Sequence, residues 1–406
     1  MTDLYRVLKG GTLIDGNGGV PVENSIVIIK NDRIKVAKKA SSVSIPKGAD
    51  VVDVSGKTVM PGLIDAHVHL LGIKTSNPKD CLINPPELRA MRAVMDCWRI
   101  VDCGFTTVRD CGNYPNGVLL KTAVEEGSIV GPRILSCGGF ILSTTWAHID
   151  VLRSIPIDWF KERNAYFIVA DGVDECRKKV RENLRAGADC IKTYDMYSLE
   201  EIKAIVEEAR ENGIKTAIHA YMPETIKKVI KAEPDTIEHG PYMDDEDIEK
   251  MIKQGIVLIP TFAYLEASLT KGAKDGADEK TLTRFRETQA QHFESFDRAW
   301  RAGVKIGIGS DYMGDAISPM GKNAAEMAIH VRIGRTPMDV IVSATKINSE
   351  ALGIDDKLGT LEAGKLADVI VVNEDPLKDI KVLCDKSNIV KVYKGGKEVP
   401  RLNQAV

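Results

Sequence analysis

"GLIDAHVH", residues 62–69, sets an apolar Gly-Leu-Ile run directly against two histidines. Side chains at i and i+2 of an extended strand share a face, so His67 and His69 point one way while Val68 points the other. Two imidazoles side by side at a strand end suit the gripping of one metal ion. The pair is short, however, and two satisfied histidines at a strand end explain it equally well in isolation. The surrounding text has to decide.

Between residues 59 and 358, short apolar runs alternate with longer amphipathic stretches, the pattern of a parallel sheet with crossover helices. After "GLIDAHVH" come "FTTVRD" (105–110), "RILSCGG" (133–139), "DCIKTY" (189–194), "KTAIHAY" (215–221), "DTIEHG" (235–240), "IVLIPTF" (256–262) and "VKIGIGSD" (304–311). In one intervening stretch, "LEEIKAIVEEARENG" (199–213), Ser198 offers an N-cap, Glu201 completes a capping box and Gly213 closes the end. Eight such strands, each followed by a helix, predict an α/β chain with a (β/α)8 TIM barrel, whose active site lies at the carboxyl ends of the strands.

Outside that region the text changes. Residues 1–58 and 359–406 read as short strands broken by turns, as in "NSIVIIKNDRIKVAKK" (24–39) and "LGTLEAGKLADVIVVNEDP" (358–376). Because both ends share this character, they are expected to combine into one small β-sandwich with the barrel inserted between its halves. A length of 406 residues suits one large domain with a smaller companion.

The formal net charge is −3, with 55 basic and 58 acidic residues interspersed, so no broad basic field is offered to nucleic acid or to an anionic membrane surface. A small-molecule substrate is favoured. No basic segment followed by an apolar stretch opens the chain, and no run of eighteen apolar residues occurs; a cytoplasmic protein is expected. The eight cysteines form no Cys-x-x-Cys pair and read as reduced thiols. Cys190 shares a strand face with Lys192 and reads as a buried, inert thiol.

At the predicted strand ends stand His67 and His69 on the first strand, Lys192 on the fourth, His219 on the fifth, His239 on the sixth and Asp311 on the eighth. A barrel brings all of these to one mouth, and four of the seven histidines would fall there, which points to a metal centre. A protonated Lys192 would repel a dication. Burial and neighbouring positive charge favour its neutral amine, which can take up carbon dioxide to give an anionic carbamate able to bridge two metals. On residue type alone, a lysine that caps a carboxylate or holds substrate stands equally open. Tyr194 and Tyr221 are candidate hydrogen-bond donors to substrate, and Arg109 either pairs with a substrate carboxylate or bridges to Asp110 or a neighbouring loop. Tyr264 reads as wall; His292 and His330, in helical text, read as surface or packing residues.

The segments "MPGLIDAHVHLLG", "GFTTVRDCGN", "ADCIKTY", "IHAY", "TIEHG", "GIGSD" and "LGTLEAGKLADVIVVNEDP" resemble the amidohydrolase superfamily, specifically its imidazolonepropionase-like and Xaa-Pro dipeptidase-like branch, over nearly the whole chain. The resemblance implies two divalent metal ions, Zn2+ first among them. His67 and His69 would bind the first with Asp311, carboxylated Lys192 would bridge, and His219 and His239 would bind the second. It also implies a homo-oligomer, and it places His148 of "ILSTTWAHIDV" (141–151) where relatives carry a histidine that contacts the substrate carbonyl. Two departures stand out. "IKTYDMYSLEE" (191–201) lacks the longer Gly-Gly loop of the dipeptidase-like members, which leaves substrate identity open. Met222, three residues after His219, replaces the proton-shuttling glutamate of mononuclear deaminases and imidazolonepropionase.

The expected reaction is prolidase-like hydrolysis of a C–N amide or peptide bond, in a dipeptide or N-acyl amino acid, by a metal-bridging hydroxide with Asp311 as acid and base. The alternatives are a cyclic amidase or deaminase of the same superfamily, or a catalytically silent barrel scaffold. Six filled ligand positions count against the scaffold.

Overall fold

Neighbouring apolar runs of the central region pair edge to edge, and the amphipathic helices between them cover the outer face. The computed structural model describes residues 4–75, 83–145, 167–274, 279–314 and 317–402. Leu63–Val68 pairs in parallel with Phe105–Asp110, which pairs in parallel with Arg133–Ser136. Beyond Gly138 and Gly139 the same chain segment continues as Phe140–Leu142 and reaches Cys190–Tyr194 through the Ile141–Thr193 bridge. Lys215–Ala220, Thr236–His239 and Val257–Ile259 then follow, each parallel to the last. These are the first to seventh strands of the ring. A short strand that the periodicity does not reveal, Phe167–Val169, lies parallel beside Phe140–Leu142.

The eighth run, expected as a regular strand, forms only isolated parallel bridges, Leu258 with Ile306 on one side and Val68 with Tyr312 on the other. Its hydrogen bonding nevertheless reaches both neighbours: Ala66 N donates to Ile308 O at 2.9 Å and Gly307 N to Leu258 O at 2.9 Å. Side chains intercept part of the ladder, since Ile308 N donates to Asn348 Oδ1 and Ser310 N to Asp65 Oδ1, both at 3.0 Å. The run also passes very close to the first strand. A Cβ on Gly309 would lie 2.7 Å from His67 Cβ and 2.5 Å from Ile259 Cγ2, so only glycine fits.

Period-2 alternation divides the ring's side chains into two sets. Ile191, Ile218, Ile237 and Leu258 join the main buried cluster with Val180, Ile205, Val229 and Ile248 of the covering helices. Lys192 and Glu238, one residue further along, are buried on the opposite face. The Leu199–Glu211 helix begins as its sequence predicts, with Ser198 Oγ accepting from Glu201 N and Ser198 N donating to the Glu201 carboxylate. Gly213 closes its end in the left-handed region, at φ 70°.

The flanking residues build two further sheets. One runs in the order Arg33–Lys39, Ser25–Lys30, Tyr5–Lys9, Asp50–Asp53. The other runs Lys397–Glu398, Ile389–Lys394, Val369–Val372, Thr58–Pro61, Thr12–Leu13, so strands from both ends of the chain interleave in it. Leu8, Val27 and Ile29 of the first sheet share one buried cluster with Val59, Val369, Val371 and Tyr393 of the second. Among the described residues, no helix is long and apolar enough to cross a membrane.

The packing at Gly309 gives a direct test. Overpacking a filled core costs about 1–3 kcal/mol, so Gly309→Ala should lower the unfolding midpoint in urea and displace His67 as well. A variant with the wild-type midpoint and full activity would show that the first strand and the eighth run are not in close contact.

Candidate active site

Five of the six predicted ligands are neighbours by direct distance. His67 Nε2 and His69 Nε2 each lie 3.4 Å from Asp311 Oδ1. The His67 and His239 rings are 5.4 Å apart, and the His219 and His239 rings 4.5 Å apart. His67, His239 and Asp311 offer ligand atoms that all lie within 4.8 Å of one another. Lys192 completes the set from the fourth strand: it is 1% exposed, its Nζ has no hydrogen-bond partner, and its charge acts on His67, His239 and Asp311.

Backbone strain helps to aim these groups. His239 and Asp311 adopt φ 75° and 56°, and Thr261, after the seventh strand, φ 59°. This left-handed region costs a residue with a side chain about 1–3 kcal/mol and persists only where the surroundings enforce it. Here each such residue sits where a strand of the ring ends.

The electrostatics suit a cation. Burial alone would raise the Asp311 pKa, but His67, His69 and Lys192 beside it outweigh that and hold it below the usual carboxylate range. Burial, together with His219, His67 and Lys192, keeps His239 well below the ordinary histidine value, so its ring is neutral and able to ligate. A neutral His239 ring, further imidazoles, an ionised carboxylate and a Lys192 Nζ with no hydrogen-bond partner together fit a divalent metal centre.

The remaining predicted residues divide. Tyr194 stacks on His219 with ring centres 4.3 Å apart and on its other side faces Phe140 at 5.3 Å. Tyr221 lies 5.7 Å from His219. Burial pushes the Tyr221 phenol up to about 12 and Tyr194 higher still, so both stay protonated donors. Tyr264, read as wall, is half-buried. His148 lies outside the described residues.

Arg109 is placed differently from either expectation. It is fully buried, and its guanidinium donates through Nε to Ala66 O at 2.6 Å, through NH1 to Thr236 Oγ1 at 3.0 Å and through NH2 to Glu238 Oε1 at 2.7 Å. It therefore serves the ring interior, across from the sixth strand, rather than a substrate carboxylate or Asp110. Asp110 instead accepts from Leu70 N at 3.1 Å, and burial pushes it up to about 7.

Three residues that support the ligands escaped the sequence reading. Glu238 Oε2 is 2.5 Å from His67 Nδ1. Burial would raise this carboxyl, but Arg109 and His67 hold it far below the usual range. Thr261 Oγ1 is 2.7 Å from His239 Nδ1, and His292 Nε2 is 2.7 Å from the His239 carbonyl. The available signal was an acid inside an apolar strand, directly before His239. Neither helical histidine is on the surface: His292 is 2% exposed, and His330 is fully buried against Glu326 at 3.0 Å. Cys190 is buried as expected, with Sγ 2.8 Å from Cys137 Sγ.

Comparison with known proteins identifies the family. Residues 58–399 match the amidohydrolase family. Ochratoxinase from Aspergillus niger is 33% identical, over 96% of this chain and 86% of its own. Among solved structures, a prolidase complexed with N-methylphosphonate-L-proline superposes with a TM-score of 0.88 at 30% identity, covering 98% of this chain and 100% of the other. A Xaa-Pro dipeptidase with bound methionine in its active site gives 0.86 at 31%, covering 97% and 99%. A match over most of the chain, with histidines, lysine and aspartate gathered where the ring's strands end, places the protein in the amidohydrolase family, whose members are hydrolases acting on carbon–nitrogen bonds.

Proposed function

We propose that this chain is a binuclear metal-dependent amidohydrolase that cleaves the amide or peptide bond of a dipeptide or N-acyl amino acid. The observation that carries the reading is the gathering of His67, His69, His239 and Asp311, with the buried Lys192, whose Nζ has no hydrogen-bond partner, acting on His239 and Asp311. Likeness to a prolidase and a Xaa-Pro dipeptidase supports the substrate class. His67, His69 and Asp311 would hold one metal and His219 and His239 the other, with Lys192, carboxylated, between them; zinc suits these donors. When bound, the metals supply a water made nucleophilic near neutral pH and a Lewis acid for the carbonyl oxygen.

The chain's own groups do the rest. Asp311, kept ionised by its neighbours, takes a proton from the attacking water on a carboxylate oxygen and returns it to the departing amine nitrogen. Tyr194 and Tyr221 keep their phenolic protons and can donate to substrate oxygens. His148 is assigned to the substrate carbonyl. We take the ring as a (β/α)8 barrel of residues 59–358, and the two flanking sheets as one composite β-sandwich of residues 1–58 and 359–406. A homo-oligomer working in the cytoplasm on small molecules completes the proposal.

The direct test is turnover on a library of dipeptides and N-acyl amino acids, with metal analysis of the same preparation. Two divalent ions per chain and hydrolysis of some library members are expected; one ion per chain in fully active enzyme would overturn the binuclear assignment. Lys192→Ala should lose metal and activity together, with short carboxylic acids restoring part of both, and a variant that keeps both metals and full activity would remove the lysine from the centre. Asp311→Asn should stay folded and lower kcat by at least about 10²- to 10⁴-fold while KM moves far less. Wild-type kcat with a raised KM would instead make Asp311 a substrate-holding group.

A further inference from the structure

Arg109 and Glu238 form an ion pair inside the ring, on the second and sixth strands, and both side chains are fully inaccessible. The Glu238 carboxylate is shared: Oε1 accepts from Arg109 NH2 and Thr236 Oγ1, while Oε2 faces His67 Nδ1 at 2.5 Å. Arg109 Nε also holds the carbonyl of Ala66, the residue directly before His67. An ionised carboxylate can only accept hydrogen bonds. In that contact His67 donates through Nδ1, which leaves Nε2 as the ring nitrogen facing the site, 3.4 Å from Asp311 Oδ1.

We infer that Glu238, clamped by Arg109, is a positioning residue that fixes the tautomer and ring direction of His67 so that Nε2 is presented for metal binding. The inference rests on the proposed role of His67 as a metal ligand. A different use of the same atoms fails on charge. His67, Cys111 and Glu238 also lie within ligand distance of one another, but a cation among them would sit beside the fixed charge of Arg109, 2.7 Å from the same carboxylate, and burial pushes the Cys111 thiol far above its ordinary value. Arg109 makes this carboxylate a partner for an N–H rather than for a metal. A purely structural ion pair would not need its second oxygen against a ligand histidine. Hydrogen bonding of this kind commonly raises metal affinity by about 10- to 100-fold.

The test begins with metal-free protein labelled with 15N in histidine, using His67→Gln to identify the His67 signals. The wild-type spectrum should show a proton on Nδ1 that stays in place as the pH is raised, and Glu238→Gln should loosen that preference. Because Glu238→Gln leaves Arg109 without its buried counter-charge and can unfold the ring, the double variant Arg109→Met/Glu238→Gln removes both charges together. Zinc retention against a chelator should fall by about 10- to 100-fold in each folded variant, with kcat falling alongside it and KM little changed, since Glu238 does not touch substrate. A wild-type His67 whose Nδ1 carries no proton overturns the inference, and so does a double variant that holds zinc as tightly as wild type. If neither variant folds, the wild-type spectrum decides. The tautomer measurement needs neither substrate nor metal, so a wrong substrate class leaves it intact, whereas a His67 that binds no zinc despite the expected tautomer would refute the proposed function instead.

Discussion

Asp311 N donates to the His67 carbonyl over 2.7 Å, and that one hydrogen bond serves two ends. It ties the last parallel segment to the first strand, and it sets the separation of two side chains that reach the same point. The two residues are more than two hundred positions apart along the chain, and this pairing sets them side by side. The flanking bonds, from Ala66 N to Ile308 O and from His69 N to Tyr312 O, extend the seam on both sides. Precision at the centre is thus a property of backbone pairing, and the side chains inherit it.

Beneath that seam the interior is polar in a way that ring closure alone does not require. Asp65 accepts from His67 N, Ser310 N, Ser310 Oγ and Asn323 Nδ2. Glu326 accepts from Phe262 N and Ala263 N, which fixes the start of the Phe262–Lys274 helix just beyond the left-handed Thr261. Each of these buried acids is satisfied several times over, the condition under which a buried polar group rigidifies rather than destabilises. The effect is to hold three strained positions, His239, Thr261 and Asp311, against relaxation.

What could be read from the sequence was what depends on short range. Alternation and length mark the strands, Ser198 and Glu201 mark a helix start within four residues, and the His67–His69 spacing states its own geometry. Partners distant along the chain left no such trace. Arg109 and Glu238 are separated by 129 positions, and an arginine at the end of an apolar strand looks the same whether it meets substrate or a buried carboxylate. His292 lies in a long helix, Glu279–Ala302, whose text is polar enough to suggest an outer face, yet its ring reaches the His239 carbonyl. The run 304–311 has the composition of a strand, but its ladder is intercepted by Asn348 and Asp65, which only the folded arrangement brings near.

The interleaved sheet has a consequence for the order in which this protein can be made. Thr58–Pro61 pairs with Val369–Val372, roughly three hundred residues later. At about 5–20 residues per second, a ribosome takes on the order of tens of seconds to supply the second strand. Throughout that interval the first has an open edge and half a hydrophobic face, with the intervening ring emerging beside it. A nascent chain of this design is most exposed to wrong strand pairing early and is secured only near the end of synthesis, so slowing translation through the ring should harm its yield more than slowing it through the final strands.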